Sequence, residues 1–504
     1  MRNLQAIILA AGEGTRMKSE LPKVLHVICG RPMLAYALDL AASAGVQQPI
    51  VILGHGAELV KPHLPKEAKV VIQTKQLGTG DAVAAAKKLL SGTGTVLILY
   101  ADTPLLRRTT VQKLIETHFK TGATCSLLTA HLADPTGYGR IARNETGQIV
   151  GIIEEAEANA AQRAIREINI GPLVCSTAAL LEALAAAKPS TSKKELYLTD
   201  IISHIARQEG TKIQSSRVEE IAESLGINSR AELARAIGVI RQRIVDAHLH
   251  NGVTIEDPAT TFIDHGVTIG HDTVVHPYTV IETGVAIGKR CSIGPFARLR
   301  SGVSVAEDAR VGNFVELVRT KVGARTRIGH VAYLGDAVIE EQVNIGAGTI
   351  TANYDGAQKH QTHIGKGAFI GSDTVLIAPV KVGAGAVTGA GSVLTKQHDV
   401  PAKGVVVGVP ARALDHRTAE VPSGKAPAAK AVTPSAAVKR NGRVKPAAKK
   451  PAKGASRITR AVRKSAARRR IAAPKKRRPV RVAARRAVRA KRRPVRKLQK
   501  ATRR

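Results

Sequence analysis

Ile263-Asp264-His265-Gly266-Val267-Thr268-Ile269-Gly270-His271-Asp272-Thr273-Val274-Val275 places an aliphatic residue at every sixth position, and the spacing runs on through Ile281, Ile287, Ile293, Leu299, Val305, Val311 and Leu317. Glycine directly follows Ile269, Ile287, Ile293 and Val311. A helix repeats about every 3.6 residues and a strand every two, so neither accounts for a period of six. A parallel β-helix does: each six-residue unit of strand plus corner turns one aliphatic inward onto one face of a triangular prism, and three units complete a coil. The pattern slips by one residue and resumes at Val322, Ile328, Leu334, Ile339 and Ile345, then returns after a longer interruption at Ile364, Ile370, Leu376 and Val382. The carboxy-terminal half of the chain is therefore expected to be a solenoid over residues 252–414, with binding grooves along its coils.

Outward from the solenoid the chemistry of the sequence changes. Residues 1–228 alternate short apolar runs (Ala6–Ala11, Ile50–Leu53, Val70–Ile72, Val96–Tyr100) with helical patterns such as Met33–Ala44 and Asp81–Leu90. That alternation predicts βαβ units in a Rossmann-like, doubly wound α/β sheet of parallel strands, with ligands gathered at the carboxyl ends of the strands. Leu233, Ile237, Ile240 and Ile244 recur at helical spacing and predict one amphipathic linker helix over 229–251. The net charge of +38 is unevenly placed. Residues 421–504 hold 32 Lys and Arg and no acidic residue, leaving 45 basic against 39 acidic residues in the remainder, an ordinary balance. The stretch 415–504 is rich in Ala, Pro, Lys and Arg, and with almost no large apolar residue it is expected to be disordered. Cys29, Cys125, Cys175 and Cys291 lie far apart without metal-ligand spacing, which suits a reducing cytoplasm and gives no zinc site. The apolar opening Leu4–Ala11 runs straight into Gly12-Glu13-Gly14-Thr15-Arg16 and reads as a strand entering a loop. No apolar run reaches membrane-spanning length.

The first chemical constellation is Leu9-Ala10-Ala11-Gly12-Glu13-Gly14-Thr15-Arg16, followed by Leu21-Pro22-Lys23. Small residues after a strand let backbone N–H groups approach phosphate oxygens, and Arg16 and Lys23 supply cations for a triphosphate. Tyr100-Ala101-Asp102 ends a later strand with a carboxylate suited to a divalent cation. This set, with Leu21-Pro22-Lys23-Val24-Leu25-His26, resembles the nucleotide-sugar pyrophosphorylases. More narrowly it resembles the bifunctional UDP-N-acetylglucosamine pyrophosphorylase/glucosamine-1-phosphate N-acetyltransferase family of cell-envelope precursor synthesis, which joins a uridylyltransferase domain to a left-handed β-helix acetyltransferase.

The resemblance implies roles for particular residues. Leu9, Ala10, Ala11, Gly12, Lys23, Tyr100 and Ala101 would lie along the UTP site, and Gln73, Gly78 and Thr79 would contact uracil. Gly139, Glu154 and Asn169 would hold the sugar, and Asp102 with Asn228 would carry Mg²⁺. Arg16 and Lys23 would screen the departing pyrophosphate. In the solenoid, His330 of Gly329-His330-Val331-Ala332-Tyr333-Leu334-Gly335-Asp336 would be the general base that frees the amine of glucosamine-1-phosphate to attack acetyl-CoA, a task that suits an imidazole. Arg300, Tyr333 and Asn344 would bind the amino-sugar phosphate, while Ala347, Asn353, Tyr354, Ser372 and Ala390 would line the acetyl-CoA site. Solenoids of this kind associate as trimers with sites between subunits, and by that analogy a homotrimer is expected. Departures from its pattern are Ala101 for a usual Gly, Ile170 for a small hydroxylated residue, Val318 for a phosphate-binding Lys, and Gly408 for an Arg. The stretch from Asp257 to Pro295 is also shorter than the family pattern by roughly two coils of hexapeptides. The alternative these departures raise is a uridylyltransferase whose β-helix is only a trimerisation scaffold.

Lys449-Lys450-Pro451-Ala452-Lys453, Arg468-Arg469-Arg470 and Lys475-Lys476-Arg477-Arg478-Pro479 resemble the tails of linker-histone-like proteins. Such a segment would hold nucleic acid, an anionic membrane or another polyanion only through sequence-independent, salt-sensitive attraction. A third reading makes that tail the functional part of a nucleic-acid-associated protein; the phosphate loop argues against it.

Overall fold

The computed structural model describes residues 3–90, 94–187 and 195–413. The expected disorder of residues 415–504 lies outside them. The amino-terminal region is built on a nine-stranded sheet. Its strands are β1 (Leu4–Ala10), β2 (Ile50–Leu53), β3 (Lys69–Ile72), β4 (Thr95–Tyr100), β5 (Cys125–His131), β6 (Arg140–Arg143), β7 (Ile149–Ile153), β8 (Glu167–Ser176) and β9 (Ile213–Arg217). The order is β9-β5-β8-β4-β1-β2-β3, with the β6–β7 hairpin attached to β8. The four apolar runs fall on β1 to β4, which pair in parallel. β8 departs from the expected all-parallel sheet, running antiparallel to both β4 and β5.

Both faces of the sheet are covered, as the near-continuous apolar runs require. In β1, Ala6, Ile8 and Ala10 enter one core while Ile7 and Leu9 enter the other. Among the helices are α1 (Met33–Ser43), α2 (Thr79–Ala85), α3 (Arg108–Thr121), α4 (Thr177–Ala186) and α5 (Leu198–Ala206). Because β2 and β4 flank β1 on opposite sides, the chain leaves β1 in one direction and later returns in the other. A crevice opens at such a reversal, above the carboxyl end of β1.

The linker is α6 (Arg230–His250). Ser229 caps it: its hydroxyl accepts the Glu232 N–H, and the Glu232 carboxylate accepts the Ser229 N–H at 2.8 Å. Leu233, Ala236 and Ile240 pack with Met17, Ile28, Met33 and Leu105 of the first region, whereas Val245, a turn further on, belongs to the solenoid core. The segment after Lys23 is braced on the first coil, where the His265 N–H donates to the Cys29 carbonyl at 2.9 Å.

The solenoid is a left-handed parallel β-helix with three faces. Val275, Ile293, Val311, Ile328, Ile345 and Ile370 stack on the first face. Ile263, Ile281, Leu299, Leu317 and Leu334 stack on the second, and Ile269, Ile287, Val305, Val322, Ile339, Ile364 and Val382 on the third. The hexad register read from sequence is thus the register of the strands. Each buried aliphatic contributes about 2 kcal/mol of apolar transfer. Corners recur with the same period and adopt left-handed backbone: Asp272, Tyr278, Arg290, Phe296, Asp308 and Phe314 all have φ between 55° and 61°. That conformation disfavours side chains with a Cβ. It is held here because corner N–H groups donate to the preceding coil, as Arg290 does to His271 and Asp308 to Lys289.

Candidate functional site

The crevice above β1 is a cavity of about 1090 Å³. Leu9, Ala10, Ala11, Gly12, Lys23, Gln73, Gly78, Thr79, Tyr100 and Asp102 all line it. Two glycines are fixed by geometry. Gly14 has φ +66° and a Cβ there would stand 2.7 Å from the Lys23 Cβ, so glycine lets the loop close on the lysine. Gly78 has φ +105°, and a Cβ would meet the Leu196 carbonyl oxygen at 2.4 Å.

Lys23 reaches into the crevice from the turn after Pro22, and its Nζ donates to Asp102 Oδ2 at 2.7 Å and to Asn228 Oδ1 at 3.1 Å. Its side chain is only 10% exposed and that of Asp102 24%. Asn228, distant in sequence, is delivered because the Ile227 N–H donates to the Asp102 carbonyl at 2.9 Å. The two oxygens therefore converge on one positive centre, the Lys23 ammonium. A carboxylate and an amide oxygen are hard donors of the kind magnesium takes.

The Gln73 amide nitrogen donates to the Gly78 carbonyl at 3.0 Å and to Asp81 Oδ2 at 2.8 Å. Tyr100 closes the floor, and burial raises its hydroxyl pKa above the ordinary tyrosine range. Beside the crevice, and sharing Tyr197 with it, lies a cavity of about 270 Å³ lined by Gly137, Glu154, Glu155 and Glu157. Gly139 and Asn169 are not among its lining residues but lie next to Glu154: a Cβ on Gly139 would lie 3.7 Å from Glu154 Oε1 and 3.8 Å from Asn169 Cβ. The Thr199 hydroxyl donates to Glu154 at 2.8 Å. Glu155 holds the buried Arg140 guanidinium at 2.6 Å, which keeps the Glu155 pKa low and ties the hairpin to this cavity.

Not every expected residue joins the crevice wall. Arg16 is exposed on the turn Thr15–Met17 and is not among the lining residues. Ala101 is buried beneath the wall, its N–H on the Leu9 carbonyl at 3.0 Å. Sequence reasoning missed His55, Glu195 and Tyr197, which line the crevice from loops without a motif, and gave no role to Gln76, which lines it from the segment between Gln73 and Gly78.

On the solenoid, His330, Ala347, Ser372 and Ala390 each sit two residues after an inward first-face position. They form a column along the edge between the first and second faces. The Asp373 N–H donates to the Ala347 carbonyl and the Gly391 N–H to the Ser372 carbonyl, both at 2.7 Å. His330 is exposed, and its Nδ1 pairs with Asn313 Oδ1 from the preceding coil. With Nδ1 as donor, Nε2 carries the lone pair, the state a general base needs. Asn313 was not anticipated. Tyr333 and Arg300 lie on the second face, with Glu316 accepting from Arg300 at 3.3 Å, while Asn344 lies on the first face. A single chain does not gather these three on one surface.

Asn353 is buried with its amide on Asp336, and Tyr354 is exposed on the loop that leaves the prism. Val318 is 3% exposed. Arg319 turns at a left-handed corner and places its guanidinium on both Asp336 oxygens, at 2.6 and 2.7 Å, so it does not replace the missing lysine.

The MobA-like NTP transferase domain family matches residues 6–203, and the bacterial transferase hexapeptide family matches 266–301 and 361–396. The bifunctional protein GlmU of Heliobacterium modesticaldum is 43% identical over 441 residues, covering 81% of this chain and 96% of that protein. The chain belongs to the bifunctional GlmU family. GlmU of Brevibacillus brevis is 41% identical over 436 residues, covering 80% of this chain and 94% of that protein. A solved UDP-glucose pyrophosphorylase complexed with UDP-glucose has a TM-score of 0.41 at 17% identity, covering 48% of this chain and all of the other. GlmU membership across both regions makes the chain a bifunctional transferase and favours that reading over a scaffold-only solenoid.

Proposed function

We propose that the crevice transfers uridylyl from UTP to N-acetylglucosamine-1-phosphate, releasing pyrophosphate, and that the His330 edge first acetylates glucosamine-1-phosphate from acetyl-CoA. The observation that carries the first half is the convergence of Lys23, Asp102 and Asn228 beside the glycine loop. In this reading Leu9, Ala10, Ala11 and Gly12 cradle the nucleotide, with Tyr100 and Ala101 beneath it. Gln73, Gly78 and Thr79 face the base. Gly139, Glu154 and Asn169 orient the sugar so that its phosphate oxygen lies in line with the α-phosphorus, a contribution of positioning and not of covalent chemistry. Asp102 and Asn228 would hold Mg²⁺, which when bound would supply charge neutralisation for the phosphates. Lys23 donates to phosphate oxygen, and Arg16, exposed on the turn Thr15–Met17, screens the departing pyrophosphate.

At the solenoid, His330 takes the amine proton through Nε2 while Asn313 fixes the ring. Arg300, Tyr333 and Asn344 bind the amino-sugar phosphate. Ala347, Asn353, Tyr354, Ser372 and Ala390 line the path of acetyl-CoA. Since Asn344 lies on a different face from Arg300 and Tyr333, the site is completed between copies in a homotrimer. The stacked, exposed rings of Tyr278, Phe296 and Phe314, with centroids 4.8 and 5.1 Å apart on the same edge as His330, support such a contact. We place the enzyme in the cytoplasm, and we assign the segment 415–504 to salt-sensitive polyanion binding.

Purified protein supplied with glucosamine-1-phosphate, acetyl-CoA, UTP and Mg²⁺ tests the two halves, with free thiol and pyrophosphate followed separately. Asp102→Ala is expected to abolish pyrophosphate release and spare thiol release. His330→Ala is expected to stop thiol release and leave pyrophosphate release from preacetylated sugar. Loss of thiol release in Asp102→Ala, or loss of pyrophosphate release from preacetylated sugar in His330→Ala, would overturn the division of labour.

A further inference from the structure

We infer that Asp81 sets the pyrimidine selectivity of the crevice by fixing the orientation of the Gln73 amide. The inference rests on the reading that the base lies against Gln73. Gln73 is 7% exposed and lines the crevice. Its amide nitrogen carries two hydrogens, and both have acceptors: the Gly78 carbonyl at 3.0 Å and Asp81 Oδ2 at 2.8 Å. Neither acceptor has a hydrogen to give. A flipped amide would set its own oxygen against a carbonyl and a carboxylate and would leave two half-buried acceptors without their donor. The amide is therefore locked with its nitrogen toward Gly78 and Asp81, and Oε1 is the polar atom left for a ligand.

An acceptor at that place distinguishes the two common pyrimidines. Uracil carries a hydrogen on N3 and donates to Oε1, whereas cytosine presents a lone pair at N3 and is repelled. Gly78 alone would satisfy one hydrogen and let the group rotate; the Asp81 carboxylate, on the first turn of α2, supplies the second constraint. Asp81 is thus a positioning residue, acting on the base through Gln73.

The test is titration calorimetry of UTP and CTP with the full chain in Mg²⁺, paired with kcat/KM for each nucleotide, on Asp81→Asn and Gln73→Leu. Thermal melting checks that each variant is folded. Asp81→Asn keeps the shape but can offer a donor to a rotated Gln73, so the preference for UTP over CTP should fall about tenfold, through weaker UTP binding and stronger CTP binding. Loss of affinity for both nucleotides with the ratio unchanged would mark a merely structural role and overturn the inference. An unchanged ratio in Gln73→Leu would instead show that the base lies elsewhere. If Gln73→Leu collapses the preference while Asp81→Asn retains it, the reading of the base site stands and the role of Asp81 falls.

Discussion

Lys23 shows how one side chain can serve two states of a site. Its ammonium neutralises Asp102 and keeps Asn228 turned inward, so the two oxygens are already assembled. In the proposed reading, a divalent cation held by Asp102 and Asn228 would take the place of the ammonium, and the lysine would be free for phosphate. Lys23→Ala is therefore expected to bind Mn²⁺ about tenfold more tightly than the natural chain in the absence of nucleotide, the scale of one charge-assisted hydrogen bond. Titration followed by electron paramagnetic resonance reads this directly; equal or weaker binding would count against displacement. Lys23 and Asp102 were legible in the sequence because each stands at a fixed offset from a loop or strand end. Asp81 and Asn313 were not, because each acts through a neighbour brought close by folding.

At the scale of elements, the sequence revealed the strands better than their neighbours. The runs of β1, β2 and β4 were visible because burial on both faces leaves no polar alternation, whereas Val70–Ile72, expected to be buried, forms the edge strand β3 with Val70 and Ile72 exposed. The reversal of β8 was not, since antiparallel and parallel central strands read alike. The helix expected over 81–90 divides into α2 and a 3₁₀ turn at Lys87–Leu89. In the solenoid the hexad pattern missed Thr351, which points inward in place of an aliphatic. Its hydroxyl takes the Gly335 N–H at 2.7 Å and donates to the Gly335 carbonyl at 3.0 Å, so a polar side chain is satisfied inside the prism. Helix α3 carries a pH dependence of its own. Burial lowers the pKa of His118, which packs beside Ser126 of β5, below the ordinary 6.5. The unfolded chain then binds the proton more readily. Stability is fully present above about pH 6.5 and declines as the pH falls toward the depressed native value. The melting temperature should drop between about pH 7 and pH 5.5, and His118→Gln should flatten that slope; identical slopes would assign the acid sensitivity elsewhere, for example to His248, also depressed by burial.

For the whole molecule, the sequence indicated two folded regions with a helix between them, and α6 joins them by giving one stretch to each core. What one chain could not reveal is the completed acetyl-transfer site, because residues assigned to one substrate lie on different faces. Phe296→Asp together with Phe314→Asp should lower the mass measured by light scattering from three copies toward one and reduce thiol release while pyrophosphate release persists. A trimer that survives both charges would remove the aromatic edge from the interface. Truncation after residue 414 removes every one of the 32 basic residues of 421–504. Both activities should persist, while retention on duplex DNA at low salt should vanish along with its steep salt dependence. Retention unchanged by truncation would dismiss the polyanion assignment, and retention on anionic vesicles but not on DNA would redirect it to membranes.

The left-handed corners of the prism hold Asp, Tyr, Arg and Phe as well as glycine, and several, among them Asp272, Arg290, Phe296 and Asp308, are pinned by their main chain to the coil before. Their side chains project from the scaffold without entering its interior. Such a body can be rewritten from outside: new contacts, charges or docking partners can be inscribed one vertex at a time while the stacked aliphatics beneath go on specifying the same shape.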